Sequence, residues 1–249
     1  MKAIRDTALL SQRYTVQMLR NPVWLFVGFS TPLLYLVLFT PLLKHFSTSS
    51  SSVIDVFLPG ILALLAFASG MALGFGTIFE LQEGVIERFR VTPASRFAIL
   101  MGPILSGMVM MFVFDAVVVA AAAGFGFRVD WAGLAVLVVL LALLMITMSA
   151  FSVATALVTK DISSFAATIN GLNLPVLLLA GVLLPISFGP TWMQVLAHLN
   201  PLYYAVEGAR ALSTGSFSNP AVWHAFAVLI PLAAVVVSWA TREFRIAVS

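Results

Sequence analysis

The chain has 249 residues, 61% of them hydrophobic and only 9% charged, where a soluble domain carries about 25% charged residues. So few charges cannot clothe a water-soluble globule, and the net charge of +3 fits cationic loops beside a membrane better than nucleic-acid binding. Cysteine is absent, which excludes disulfides and thiolate metal sites.

Residues 1–21 predict an amphipathic helix lying on the cytoplasmic membrane surface. At about 100° per residue, Ala3, Ile4, Ala8, Leu10, Tyr14, Met18 and Leu19 share one arc. Lys2, Arg5, Arg13 and Arg20 share the opposite arc, with Leu9 and Val16 intruding. A basic start before an apolar run is also the mark of a signal peptide. This run is long enough to span and shows no small-x-small cleavage site, so it reads as a retained first span.

Six apolar stretches follow, at 24–43, 56–79, 97–123, 132–158, 165–184 and 221–240. Each is close to the ~20 helical residues that cross a ~30 Å hydrocarbon layer. Helices are expected there, because lipid offers no partner to a bare backbone group. The predicted fold is an all-α integral membrane protein, one domain over 1–249 with six transmembrane helices.

Lysine and arginine set its orientation. Lys2, Arg5, Arg13, Arg20, Arg88, Arg90, Arg96, Lys160, Arg242 and Arg245 fall on one side, and only Lys44, Arg128 and Arg210 on the other. The positive-inside rule places both termini in the cytoplasm. The expected location is the inner or plasma membrane of a bacterium. Between the first two spans, STSSSS reads as a flexible linker. Between the last two, PTWMQVLAHLNPLYYAVEGARAL has helical spacing broken at Asn200-Pro201. It predicts a short broken helical element on the outer side, dipping into the leaflet or capping the bundle.

The chain holds no phosphate-cradling loop, no nucleophile elbow and no His-Glu-x-x-His. His45, His198 and His224 are scattered near span ends, so no metal site, no catalytic residue and no cofactor of its own are expected. Asp115 is the one acid deep in a span. A charge there costs about 2.5–3.5 kcal/mol on insertion scales, so it should face protein or water. It contacts a cationic cargo, relays a proton or serves structure; with no second intramembrane acid or base, the structural role is favoured. Ser69, Gly70 and Gly74 allow close helix approach. Pro175, with Gly171 and Gly181 nearby, marks the fifth span for a kink. Asn170 and Asn173 there either line a pathway or meet a neighbouring helix.

One stretch breaks the apolar monotony: QEGVIERFRVTP, residues 82–93. Leu81, Val85 and Phe89 recur at i, i+4, i+8, with Glu83, Glu87 and Arg90 on another face. Pro93 disfavours helix at Thr92. The loop 80–96 thus predicts a short two-faced helix of about three turns, stopped sharply and tethered between spans. That shape suits docking of a soluble partner; the alternative is a solvated connector.

The same stretch resembles the signature of ABC-2 type permeases, the membrane subunits of ATP-driven exporters, approximately E-x-G-T-L-E-x-L-x-x-T-P. Glu83, Gly84, Glu87, Thr92 and Pro93 match directly, Ile86 and Phe89 by character, and Val85 departs from the usual Thr. A second resemblance lies in Gly181, Pro185, Pro190, Trp192, Asn200, Pro201, Leu202, Tyr204, Glu207 and Arg210, and a weaker one in FLPGI. The resemblance implies that two permeases pair, as a homo- or heterodimer, in membrane lipid. Each docks a cytosolic ATP-binding subunit that carries ATP and Mg. The loop helix becomes a coupling helix through Glu83, Gly84, Glu87, Arg88, Arg90, Thr92 and Pro93. The pathway is expected between the permeases, with Phe67, Asn170, Asn173 and Leu177 as lining. A span set so poor in charge favours an amphipathic or lipophilic cargo: a drug, antibiotic, lipid or glycolipid. Polysaccharide export, ion-coupled secondary transport and a non-transporting recruitment role are the alternatives.

Overall fold

A computed structural model describes residues 2–44, 50–84, 96–124, 127, 130–182 and 186–248. Among the described residues all regular structure is helical. The elements are α1 (Lys2–Leu19), α2 (Pro22–Lys44), α3 (Ser50–Gln82), α4 (Arg96–Gly124), α5 (Trp131–Thr159), α6 (Ile162–Leu179), α7 (Thr191–Ala197), α8 (Pro201–Ser213) and α9 (Pro220–Val248). A single 3₁₀ turn, Ile186–Phe188, precedes α7.

Among the described residues five helices are long and apolar enough to cross a membrane: Phe57–Gln82, Met101–Gly124, Trp131–Thr159, Ile162–Leu179 and Pro220–Ile246. In α2 the apolar stretch Leu25–Leu38 is shorter. The helix expected over 165–184 starts at Ile162 and stops at Leu179. Gly181 is the reason: it adopts the left-handed conformation (φ 67°), which a helix cannot continue through.

Two clusters define the ends of the bundle. At one end Ile99 and Ile104 of α4, Val153 and Leu157 of α5 and Phe244 of α9 pack together, with Leu10 of α1 and Leu81 of α3 against them. This is the loop end, where α3 leads toward α4. At the far end the start of α3 (Leu58, Pro59), the end of α4 (Val119), the start of α5 (Leu134) and the end of α8 (Ser213) line one small hollow. Successive long helices therefore run alternately up and down.

α5 is the central helix. One side packs on α3; on the other, Ala150 and Ala154 meet Val236 and Ala240 of α9. Apolar burial drives little helix association in lipid, so close packing and interhelical hydrogen bonds must do it. Both occur between α3 and α5. The Ser152 hydroxyl donates to the Met71 carbonyl at 2.6 Å and accepts the Gly74 N–H at 3.1 Å. A Cβ on Gly74 would collide with Ser152 and Phe165. The turn from α5 to α6 is tight: Lys160 is left-handed (φ 54°), and the Asp161 carboxylate caps α6 by accepting the Ser164 N–H at 2.7 Å.

α2 and α6 are peripheral. In α6 only Phe165 and Ile169 are buried. α2 touches the bundle through Phe29, edge-on to Phe114 of α4, and through Leu36, which is buried in the main core, while Val23, Phe26 and Val27 stand exposed.

α1 lies beside the first turns of α4, running in the same direction. Leu10 sits on Gly102, and the Thr15 and Ser106 hydroxyls are 3.0 Å apart. The face it turns inward differs from the apolar arc expected. Leu10, Tyr14 and Met18 do face the bundle, but Thr7, Ser11 and Thr15 join them, while Ala8 and Leu19 are exposed. A packing face rich in hydroxyls answers the polar needs of Ser106 and of the α1 turn itself, where Thr15 donates to the Ser11 carbonyl at 2.9 Å.

Candidate functional site

The loop end is built by the last turn of α3. Glu83 and Gly84 N–H groups donate to the Phe79 and Leu81 carbonyls at 2.9 and 3.2 Å. Gly84 then turns left-handed (φ 68°), which only glycine does cheaply. This corrects part of the expected loop helix. Its apolar stripe was to begin at Leu81, but Leu81 belongs to α3 and packs into the loop-end core. Glu83 is exposed at the stop, and Glu87, Arg88, Arg90, Thr92 and Pro93 lie outside the described residues, as do Val85 and Phe89.

Immediately before the stop, Glu80 is half-buried and accepts a hydrogen bond from the Tyr14 hydroxyl of α1. Burial, then the Glu80 carboxylate, push the Tyr14 phenol well above its usual range. α1 thereby holds both the end of α3 and the beginning of α4, the two helices that flank the charged loop. No sequence signal announced this bond, because residues 66 apart have no periodic relation.

A second constellation sits at the far end, where α6 unwinds. Pro175 removes one donor a turn before the helix ends, and at the end itself the Ala180 N–H bonds to Leu177 rather than to Val176. The freed Val176 carbonyl takes a hydrogen bond from the Asn200 side-chain amide at 2.7 Å. The same Asn200 caps α8, its Oδ1 accepting the Leu202 N–H at 3.0 Å. Arg210, one α8 face further on, donates to the Gly181 carbonyl at 2.5 Å and the Val182 carbonyl at 3.3 Å. Its other nitrogen pairs with Glu207 at 2.6 Å. Burial pulls the Arg210 pKa below the usual arginine value, and Glu207 pulls it back. Gly60, the glycine of FLPGI, lets α3 touch this same turn; a Cβ there would strike the Val182 carbonyl. The Tyr204 hydroxyl donates to the His198 carbonyl at 3.0 Å, and Trp192 is exposed on α7. Gly181, Asn200, Leu202, Glu207 and Arg210 of the second motif thus form a lock that satisfies the broken end of α6.

The proposed lining residues are not brought together. Phe67 is 1% exposed, sealed in the core of the bundle. Asn170 and Asn173 are exposed on α6, and Leu177 is half-buried against the core. Asp115 is buried, and among the described residues neither of its oxygens has a hydrogen-bond partner. Among the described residues no group of three or more His, Asp and Glu is placed to hold a metal ion. His198 and His224 are exposed; His45 lies outside the described residues.

The sequence model of the ABC-2 type transporter family matches residues 5–213. The chain is 32% identical over 219 residues to the putative transport permease ycf38 of Cyanophora paradoxa, covering 86% of this chain and 76% of the relative. It is 28% identical to the protein of the same name in Porphyra purpurea, over 87% of this chain and 76% of the relative. It is also 26% identical to the daunorubicin resistance ABC transporter permease protein DrrB1 of Streptomyces coeruleorubidus, over 86% of this chain and 76% of that one.

Proposed function

We propose that this chain, which belongs to the ABC-2 type transporter family, is the permease subunit of an exporter driven by ATP hydrolysis in a separate ATP-binding subunit. α6 carries the reading. It is an apolar helix that keeps Asn170 and Asn173 exposed, and polar groups facing lipid are costly unless something covers them. A second permease against α6 and α2 covers them and leaves a path between the two chains. Asn170, Asn173 and Leu177 then line that path. Six passes, with α2 as the first, and both termini in the cytoplasm fit the up-and-down order and the lysine and arginine distribution.

The cargo is amphipathic or lipophilic. Away from the helix ends, Asp115 is the one ionisable side chain in the described spans, so a highly charged cargo would meet little compensation. The daunorubicin resistance relative supports a drug-like molecule. The charged loop 80–96 docks the ATP-binding subunit, which carries the ATP and Mg, through Glu83, Gly84, Glu87, Arg88, Arg90, Thr92 and Pro93.

Co-reconstitution tests this. Vesicles holding the chain and its ATP-binding subunit should accumulate daunorubicin with ATP and no ion gradient. Accumulation driven by an ion gradient without ATP would overturn the reading. Glu87→Arg with Gly84→Pro should abolish co-purification of the subunit while the chain still inserts.

A further inference from the structure

We propose that the outward face of α1 is a binding site for an anionic phospholipid headgroup. The observation is a stripe that nothing in the chain covers. Leu9, Gln12, Arg13, Val16, Gln17 and Arg20 lie along one open face of α1, all exposed, away from the Tyr14 and Met18 side that meets the bundle. Arg5 extends it toward the N-terminus.

The composition of the face is mixed in a specific way. Arg13 and Arg20 are seven residues apart, about 10 Å along a helix axis. Neither makes an ion pair within the described residues, where the pair formed is Arg210 with Glu207. Two acids lie near the stripe: Asp6, half-buried at its edge, and Glu80, which feels the Arg13 charge but is engaged by Tyr14, over whose ring the Arg13 guanidinium lies at 5.9 Å. Guanidinium forks match phosphate oxygens in pairs, and the amides of Gln12 and Gln17 add neutral donors. Leu9 is 56% exposed and Val16 40% exposed between these polar groups. A purely aqueous face gains nothing from them, whereas the boundary between headgroups and acyl chains accepts both.

Position points the same way. α1 runs beside the start of α4 and passes through Arg20 and Asn21 directly into α2, whose Val23, Phe26 and Val27 are exposed. A basic tier thus meets an apolar tier along one continuous stretch of chain, the layout of a phosphate above its acyl chains. A soluble acidic partner would match the arginines but not the exposed apolar residues beside them. The proposal does not depend on the cargo, and transport plays no part in its test.

The absence of cysteine allows a single label. Gln17→Cys in the full chain, carrying a nitroxide, is placed in phosphatidylcholine nanodiscs with or without phosphatidylglycerol. Phosphatidylglycerol should lower accessibility of the label to a water-soluble relaxant and slow its motion. Arg13→Gln with Arg20→Gln should weaken the response, with each change shifting the required phosphatidylglycerol by about fivefold. Inorganic phosphate added to phosphatidylcholine discs should do nothing. Equal accessibility in both lipids would overturn the proposal, as would a response to free phosphate. So would protection that arises only when the ATP-binding subunit is added, since the face would then belong to that protein.

Discussion

Replacing Arg210 isolates what the far-end lock contributes. Arg210→Ala removes an ion pair and two hydrogen bonds to backbone carbonyls at once. The two effects differ in size. Glu207 keeps a third of its side-chain surface exposed, so losing its partner costs at most about 0.5–1 kcal/mol after solvent screening. The Gly181 and Val182 carbonyls are buried, and a buried acceptor left unpaired costs about 1–3 kcal/mol. The Gly181 bond is the short one and should dominate, giving a total loss of about 2–4 kcal/mol. Glu207→Gln, which keeps the carbonyl bonds, should lose less than about 1 kcal/mol. Arg210→Lys should fall between them, because one ammonium cannot serve both the carbonyls and Glu207 with the arginine fork. Reversible unfolding in mixed micelles measures all three. If Arg210→Ala and Glu207→Gln prove equally destabilising, the ion pair carries the lock and the carbonyl account is wrong.

Three further outcomes follow from the packing and the caps. Gly60→Ala should destabilise by about 1–3 kcal/mol, because its Cβ meets the Val182 carbonyl; Gly76→Ala, which meets nothing, should be neutral or gain up to about 1 kcal/mol, and the same unfolding assay ranks them. Asp115→Leu should raise stability by about 1–3 kcal/mol, since a buried carboxyl without partners is replaced by an apolar side chain. Transport by that variant should be unchanged; loss of transport in a well-folded variant would give Asp115 a mechanistic role. Asp161 is held below the usual carboxylate range by the Ser164 N–H it accepts. A depressed folded pKa means that its contribution is complete above the ordinary aspartate range and is lost as pH falls through the lower folded value. Thermal unfolding followed against pH should therefore show a smaller acid dependence in Asp161→Asn; identical acid slopes would refute the cap.

Periodicity and hydropathy carried most of the helix set. Long apolar runs have few alternatives in lipid, so α3, α4, α5 and α9 lie close to where their composition puts them. α1 was legible as a helix but not in its packing. Thr7, Ser11 and Thr15 look like solvent-facing residues, yet each belongs to the face that meets the bundle. Hydrophobic patterning is blind to hydroxyls that bond across helices. The early end of α6 was hidden because Val182, Leu183 and Leu184 continue the apolar run past Gly181; a glycine within an apolar run stops a helix only where its backbone turns left-handed, as it does here. Asn200, Glu207 and Arg210 were visible as a family motif. Their work on the carbonyls of Val176, Gly181 and Val182 was not, because which backbone groups are left bare depends on where α6 breaks. Phe67 packs into the core of the bundle. An aromatic ring in an apolar helix carries no mark that separates core from pathway.

The far-end lock also imposes an order on biosynthesis. Its bonds run backward along the chain: the Val176 carbonyl waits for a residue 24 positions later, and the Gly181 carbonyl for one 29 positions later. When α6 first emerges from the ribosome, its terminal carbonyls have no protein donor, and burying them in hydrocarbon would cost several kcal/mol each. The nascent helix must therefore keep that end at a wet boundary until α8 has been made and folds back onto it. A chain stalled before Asn200 should leave this end open to water and to quality-control proteases, which makes the stretch from α6 to α8 one unit of insertion rather than a span followed by a loop.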